Sequence, residues 1–545
     1  MESMKDFALG NYFRGHIVDV ENRRIIDGEM VVEKGCIVSI RECCDLAADA
    51  PYFIPGFVDS HVHVESSMMV PYEFGQVAMM HGTVAAVCDP HEIANVLGVE
   101  GIEFMLKSAR KSPFHFFFGC PSCVPSCGGC IETSGSTLGV TEVQAMMARP
   151  DIHFLAEMMN YPGVLGNDPC VMAKIRAAQE QGKPVDGHAP GVVGKDRQRY
   201  VAAGISTDHE CATIEEGRDC LASGMNLLIR EGSAAKDFDS LIPLLKEKPE
   251  NVMFCTDDCH PADFLKGHIN QMVARALSLG YDVFDVLAAA SVNPVRHYRL
   301  PVGLLRQGDK ADFIVVSDLS PAFRVLATYL DGVEYKEMAA SPSISYPNRF
   351  QALPLREKDL KCTLAKGQQL HVIGASDGSL LTEHLTVIVD AVSESLKGLN
   401  KIVVYNRYKA GKKPQIAFIQ GFDITNGAMA ASIAHDSHNI VAIGSDDAKI
   451  TQAINKVIEM RGGMYAMNEQ EESSLALPIA GLMSSCSGKE IALASTRLEE
   501  TIHRAGCPLH SPFITMAFMA LPVIPFLKLT DLGLFDSQQF RFVER

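Results

Sequence analysis

Between residues 51 and 300 short apolar runs recur, each ending in a polar side chain able to do chemistry. The ends fall at His61, Asp89, Cys120, Glu157, His188, His209, Arg230 and Asp257, each about one strand-plus-helix unit after the last. Stretches such as Val99 to Lys111 and Asp168 to Gln181 lie between them and read as helices, the second opened by Asp168-Pro169. Eight such units are what a closed β/α barrel needs, and its working residues gather where the strands end. The pattern differs on either side. Phe13 to Val20 and Met30 to Val38 read as short strands, and Gly303 to Val316 returns the same texture. We therefore expect a composite β domain from both flanks (1–50 plus 301–340) around a 51–300 (β/α)8 TIM-type barrel. From about 360, runs at Leu370 to Ile373, Leu385 to Val389, Lys401 to Tyr405 and Ile416 to Ile419 join helical stretches at Ala448 to Arg461 and Lys489 to Ala505. These predict a further C-terminal α/β domain over 360–545. The Pro342, Pro347 and Pro354 stretch, 340–360, reads as a linker.

Composition narrows the partners. The 545 residues carry a formal net charge of −17, with no Lys/Arg-rich run, so a nucleic acid is a poor partner. A 47% hydrophobic, 21% charged chain builds globular cores. Met1 to Asp6 is polar and unlike a signal peptide, and the apolar run Phe513 to Leu527 is broken by Pro522 and Pro525, too short to span a bilayer. With sixteen scattered cysteines, this predicts a cytoplasmic protein whose thiols are mostly free, with no membrane association. Exposed barrel faces and an extra domain predict a homo-oligomer, a dimer.

The chemistry centres on Ile54 to Ser67, where a short apolar run, read as one buried strand, leads into His61-Val-His63. On an extended chain both imidazoles leave one face and can grip one metal ion. Glu157, His188, His209 and Asp257 recur at later strand ends. A carboxylate between two imidazole pairs can bridge two divalent ions, and Asp257 can ligate one while taking a proton from bound water. Asp89, His91 and Glu92 close the second strand; they can bind substrate, hold a further metal, or cap the next helix. Glu210 and Asp258 flank two candidate ligands and can exchange protons with substrate. His435, Asp436 and His438 form a surface turn or reach over the barrel mouth. Cys120, Cys123, Cys127 and Cys130 could hold Zn2+ or an iron–sulfur cluster, or be free loop thiols.

The stretches Ile54 to Met68, Asp89-Pro-His-Glu92, Leu155 to Asn160, Asp186 to Pro190, Thr256-Asp-Asp258 and Ala434-His-Asp-Ser-His-Asn439 resemble the adenine deaminase family of the amidohydrolase superfamily. That resemblance implies hydrolysis of adenine to hypoxanthine and ammonia at a binuclear Mn2+ or Fe2+ centre, with Zn2+ also compatible with such ligands. It implies His61, His63, Glu157, His188, His209 and Asp257 as ligands. The Cys120 to Cys130 spacing departs from the family pattern. One rival is a cyclic-amide hydrolase on the same barrel, which commonly bridges its metals with a modified lysine where this chain has Glu157. The other is a catalytically dead relative, which should have lost ligands, and none is missing.

Overall fold

The computed structural model describes residues 8–9, 11–47, 49–127, 129–337, 345–393 and 396–544. The polar opening at Met1 to Asp6 and the Pro342 end of the expected linker lie outside them. Eight short parallel strands follow one another in chain order: Phe57–Val62, Thr83–Cys88, His115–Phe118, Leu155–Met158, Val185–Gly187, Thr207–Asp208, Asn226–Arg230 and Val252–Cys255. Within the series, adjacent strands pair in parallel directly or through short links such as Cys120 N–H to Phe154 and Ser206 N–H to Val185, both 2.9 Å. The last strand returns to the first through the Val62–Asp257 bridge, with Asp257 N–H donating to the His61 carbonyl at 2.9 Å. A ring of parallel strands has no edge, and this mixed α/β unit is of the TIM-barrel type. Long strands are unnecessary because both faces are buried, the inner by side chains and the outer by helices such as Val99–Ala109 and Pro169–Glu180.

Two expectations about strands are corrected. The apolar run through Ile54 to Val58 is two strands rather than one. Tyr52–Pro55 pairs with Phe313–Val316 and Tyr12–Asp19, whereas Phe57–Val62 enters the ring. Gly56 makes the switch where a Cβ would sit 2.4 Å from the Val84 side chain, so no larger residue fits. Likewise Met30 to Val38 spans a hairpin, Arg24–Glu33 turning into Cys36–Glu42. The apolar texture continues past the turn because Met30 and Val32 on one arm and Ile37 on the other are buried.

Strands from both flanks share one sheet, in the order Val333–Glu334, Val325–Leu330, Phe313–Val316, Tyr52–Pro55, Tyr12–Asp19, Arg24–Glu33, Cys36–Glu42. Phe13, Phe53, Phe313 and Tyr329 pack its core edge-to-face or stacked. Further along, eight strands between Gln369 and Ala476 form a second sheet, all antiparallel neighbours except Gln369–Gly374 beside Gln415–Gln420. Helices Asp447–Glu459 and Gly488–Arg504 cover it, each with a Ser or Asp side chain capping its first turn. The expected linker is less free than its prolines suggest: Phe350, Ala352, Leu355 and Leu360 are buried in this second core. The sheet's loops pack on the ring where its strands end, for example Ser484 N–H on the Met68 carbonyl at 2.9 Å and Asn439 Nδ2 on the Thr133 carbonyl at 2.9 Å.

Candidate active site

Every one of the eight residues picked out as a strand end lies at or within two residues of the C-terminal end of a ring strand. Five of them, together with His63, converge. His61 and His63 project from one strand with their Nε2 atoms 3.2 Å apart. Asp257 is zipped to that strand by its backbone, donating to His61 and accepting from His63 N–H at 3.3 Å, so its Oδ1 lies 3.1 Å from His63 Nε2 and 3.5 Å from His61 Nε2. Its φ of 57° is left-handed, which Asp tolerates better than most residues. Across the ring, Glu157 puts Oε2 3.0 Å from His188 Nδ1, 3.1 Å from His209 Nε2 and 3.9 Å from His61 Nε2. Its Oε1 lies 3.8 Å from His63 Nε2. One carboxylate therefore faces both imidazole pairs.

The surrounding groups orient these side chains. His63 Nδ1 donates to the Asp89 carbonyl at 3.1 Å, so the neutral ring keeps its lone pair on Nε2, facing inward. Asp59 accepts from the Thr256 N–H and hydroxyl and from His61 N–H, tying the ends of the first and last strands together. Arg230 is buried and forks between Glu210 (2.6 Å), Asp257 Oδ2 (3.0 Å) and Asp237 (3.0 Å). Its position at the seventh strand end was visible in the sequence; its three carboxylate partners were not.

Charge is concentrated here. Burial pushes Glu157 up, but His188, His209 and His63 overcome it and hold the carboxyl well below its usual range. Asp257 is held low in the same way by His61 and His63, with His209 and Arg230 adding to it. Burial disfavours the imidazolium of His188, yet Glu210 and Glu157 raise its pKa to about 9. The carboxylates thus demand positive charge, and neutral imidazoles plus carboxylates are the donors a Mn2+, Fe2+ or Zn2+ ion takes. His61, Glu157 and His209, and His61, His63 and Asp257, form two such donor groups sharing His61. The residues present fit a two-metal site.

The remaining candidates divide. Asp89 does cap the following helix, its Oδ1 taking His91 N–H at 3.0 Å, while its Oδ2 lies 3.2 Å from His91 Nδ1. His91 Nδ1 also lies 3.3 Å from Glu157 Oε1. Glu92 turns away from this centre toward His435 and His438 of the C-terminal region. Glu210 lies 3.6 Å from His188 and 3.5 Å from His209. Asp258 points elsewhere, accepting from Ser66 Oγ at 2.5 Å; burial and Asp257 raise its pKa. Cys120 and Cys123 are buried while Cys130 is exposed, and none of the Cys120, Cys123, Cys127 and Cys130 thiols is in a disulfide. A cavity of about 690 Å³ opens onto His188, Glu210 and Arg230, walled on its far side by Asp377 to Leu381 and His510 to Thr515.

Ring, carboxylate bridge and imidazole pairs together define a metal-dependent hydrolase site, and the comparisons agree. Residues 52–334 match the amidohydrolase family and residues 379–541 match the adenine deaminase C-terminal domain. An adenine deaminase of Sulfurovum sp. is 48% identical over 97% of this chain and 99% of its own length. One from Methanosarcina barkeri is 46% identical over 98% of each. A solved β-aspartyl dipeptidase from Fervidobacterium islandicum is 14% identical, TM-score 0.45, covering 61% of this chain and 98% of its own. The chain belongs to the adenine deaminase family of the amidohydrolases.

Proposed function

We propose that this protein hydrolyses adenine to hypoxanthine and ammonia. The observation that carries the reading is Glu157, one buried carboxylate within 3.0–3.9 Å of four imidazoles from three strand ends, His61, His63, His188 and His209. We assign His61, His63, Glu157, His188, His209 and Asp257 as the residues that hold two divalent ions, Mn2+ or Fe2+, with Zn2+ compatible. Such ions lower the pKa of a shared water and polarise the electrophile.

The chain's own groups would do the rest. Asp257 Oδ2 is fixed by Arg230, leaving Oδ1 to accept the water's proton. Glu210 lines the cavity beside His188 and is placed to pass a proton to a ring nitrogen. We assign Asp258, whose pKa burial and Asp257 raise, to proton exchange with the departing amine. Asp89 and His91 are assigned to the substrate's edge beside Glu157, with Glu92 supporting His91 from the C-terminal side. The cavity lining also bears on the substrate's charge. Four carboxylates, Glu210, Glu216, Asp237 and Asp377, line it against two cations, Lys236 and Arg230, and Arg230 is already engaged by carboxylates. A neutral base suits this lining better than a phosphate does. We assign the three structural units as 1–50 plus 301–340, the (β/α)8 barrel at 51–300, and the C-terminal α/β unit at 360–545. We further place the enzyme in purine salvage in the cytoplasm, as a homodimer.

The test is ammonia release from adenine, adenosine, AMP and hydantoin by Mn2+-reconstituted protein, compared as kcat/KM. Adenine should exceed adenosine and AMP by orders of magnitude. Faster turnover of adenosine, or opening of hydantoin with adenine untouched, would refute the assignment.

A further inference from the structure

The segment Ala434 to Asn439 joins strands Gly427–Ala431 and Ile440–Gly444 of the C-terminal sheet, and it lies against the ring. His435 Nδ1 lies 2.6 Å from Glu92 Oε1, and His438 Nε2 meets Glu92 Oε2. Glu92 follows His91, whose Nε2 lies 3.5 Å from Glu92 Oε1 and 3.9 Å from Asp436 Oδ1. His91 Nδ1 in turn lies 3.3 Å from Glu157 Oε1. A continuous line of polar contacts thus runs from the C-terminal domain to the carboxylate at the heart of the site.

Both imidazoles are themselves held in place. His438 Nδ1 accepts the Ala434 N–H at 3.3 Å, so its neutral form carries the proton on Nε2 and donates it to Glu92. The His438 N–H donates to the Ala434 carbonyl at 2.7 Å, closing a tight turn. His435 stacks on Phe518 at 4.3 Å, and its N–H donates to the Ala517 carbonyl. Tyr408 donates to the Ser437 carbonyl at 2.6 Å. Glu92 is 2% exposed, so without these partners its buried charge would keep only His91 beside it. A surface turn would need none of this.

We infer that His435 and His438 are positioning residues for the deamination site, acting through Glu92 on His91, so that the barrel's active site is incomplete without the C-terminal domain. The inference rests on the deaminase reading for its substrate alone.

The experiment uses the full chain with His435→Gln, His438→Gln and Glu92→Gln, singly and combined. Each His variant should lower kcat for adenine about 10- to 100-fold, as loss of an outer-shell partner does, with two metals per chain retained. Adding His435→Gln to Glu92→Gln should cost less than twofold more, because both act through one group. Multiplicative losses, or kcat within twofold of wild type in both His variants, would overturn the inference. A second readout needs no substrate. In Zn2+-loaded protein labelled with 15N-histidine, the His91 ring signal, assigned through His91→Gln, should move in Glu92→Gln, His435→Gln and His438→Gln. A His91 signal unmoved by His435→Gln and His438→Gln overturns the inference even if adenine is not the substrate. Absence of turnover by wild type refutes the deaminase reading alone.

Discussion

Replacing Asp257 with Asn should separate metal holding from catalysis. The carboxylate has two distinct oxygens: Oδ1 faces His61 and His63 at 3.5 and 3.1 Å, and Oδ2 takes a hydrogen bond from Arg230 at 3.0 Å. An amide keeps only one acceptor. Arg230 can only donate, so the Asn oxygen must face Arg230 and the NH2 group must face the imidazole pair. That NH2 neither binds a divalent ion nor accepts a proton. Five donors remain in His61, His63, Glu157, His188 and His209, so metal content should stay near wild type at saturating Mn2+. The rate loses a general base and a ligand together. A positioned base is worth roughly 10²–10⁴, which at about 1.4 kcal/mol per decade is some 3 to 5 kcal/mol of barrier. We expect kcat for adenine to fall at least 10³-fold, read as ammonia release with metal counted by elemental analysis. Asp258→Asn should cost clearly less. An Asp257→Asn enzyme within tenfold of wild type, or an inactive Asp258→Asn beside an active Asp257→Asn, would show the two roles assigned backwards.

Two further outcomes follow from the same geometry. His61 belongs to both donor groups, so His61→Ala should lower bound metal and abolish turnover; a folded, fully active His61→Ala protein sinks the two-metal reading. Metal loading should also release protons. His188 is raised to about 9 in the metal-free protein, so it is protonated at pH 7.5 and must give up that proton to offer a lone pair. Affinity for Mn2+ should therefore climb as pH rises toward 9 and fall below it. Calorimetric titrations at pH 7.5 in buffers of different ionisation enthalpy measure the count, and zero released protons would contradict it.

The apolar period exposed the eight strand ends because buried strands and amphipathic helices impose it directly, and His61, His63, Glu157, His188, His209 and Asp257 do converge. The period carries no information on which end faces which across the ring, so the forking of Arg230 to Glu210, Asp237 and Asp257 was hidden. Nor does it register contacts between distant segments. Glu92 and His435 are 343 residues apart, and only folding makes them partners. The Gly56 break was missed for another reason: a run apolar throughout looks the same whether it serves one sheet or two. Its glycine, with Val84 pressed against it, was the one local clue.

The nature of the bridging group leads to a last prediction. A barrel hydrolase that bridges its metals through a carboxylated lysine needs carbon dioxide to build its site. The two lysines between the fourth and fifth strands here are committed elsewhere. Lys174 Nζ donates to the Ser122 and Leu138 carbonyls at 2.6 and 2.9 Å, and Lys183 Nζ to those of Met147 and Arg149, both 2.6 Å. Glu157 brings its own two oxygens, Oε2 facing His188 and His209 and Oε1 facing His63. A carboxylate built into the chain has no assembly step beyond proton loss. Reconstitution of the metal-free protein with Mn2+ should then reach the same rate and extent in carbon-dioxide-free buffer as in bicarbonate. Glu157→Gln should lose bound metal in both, and bicarbonate should restore nothing. Should bicarbonate accelerate loading of the wild type several-fold, a modified lysine would be taking part and the bridge assigned to Glu157 would be wrong.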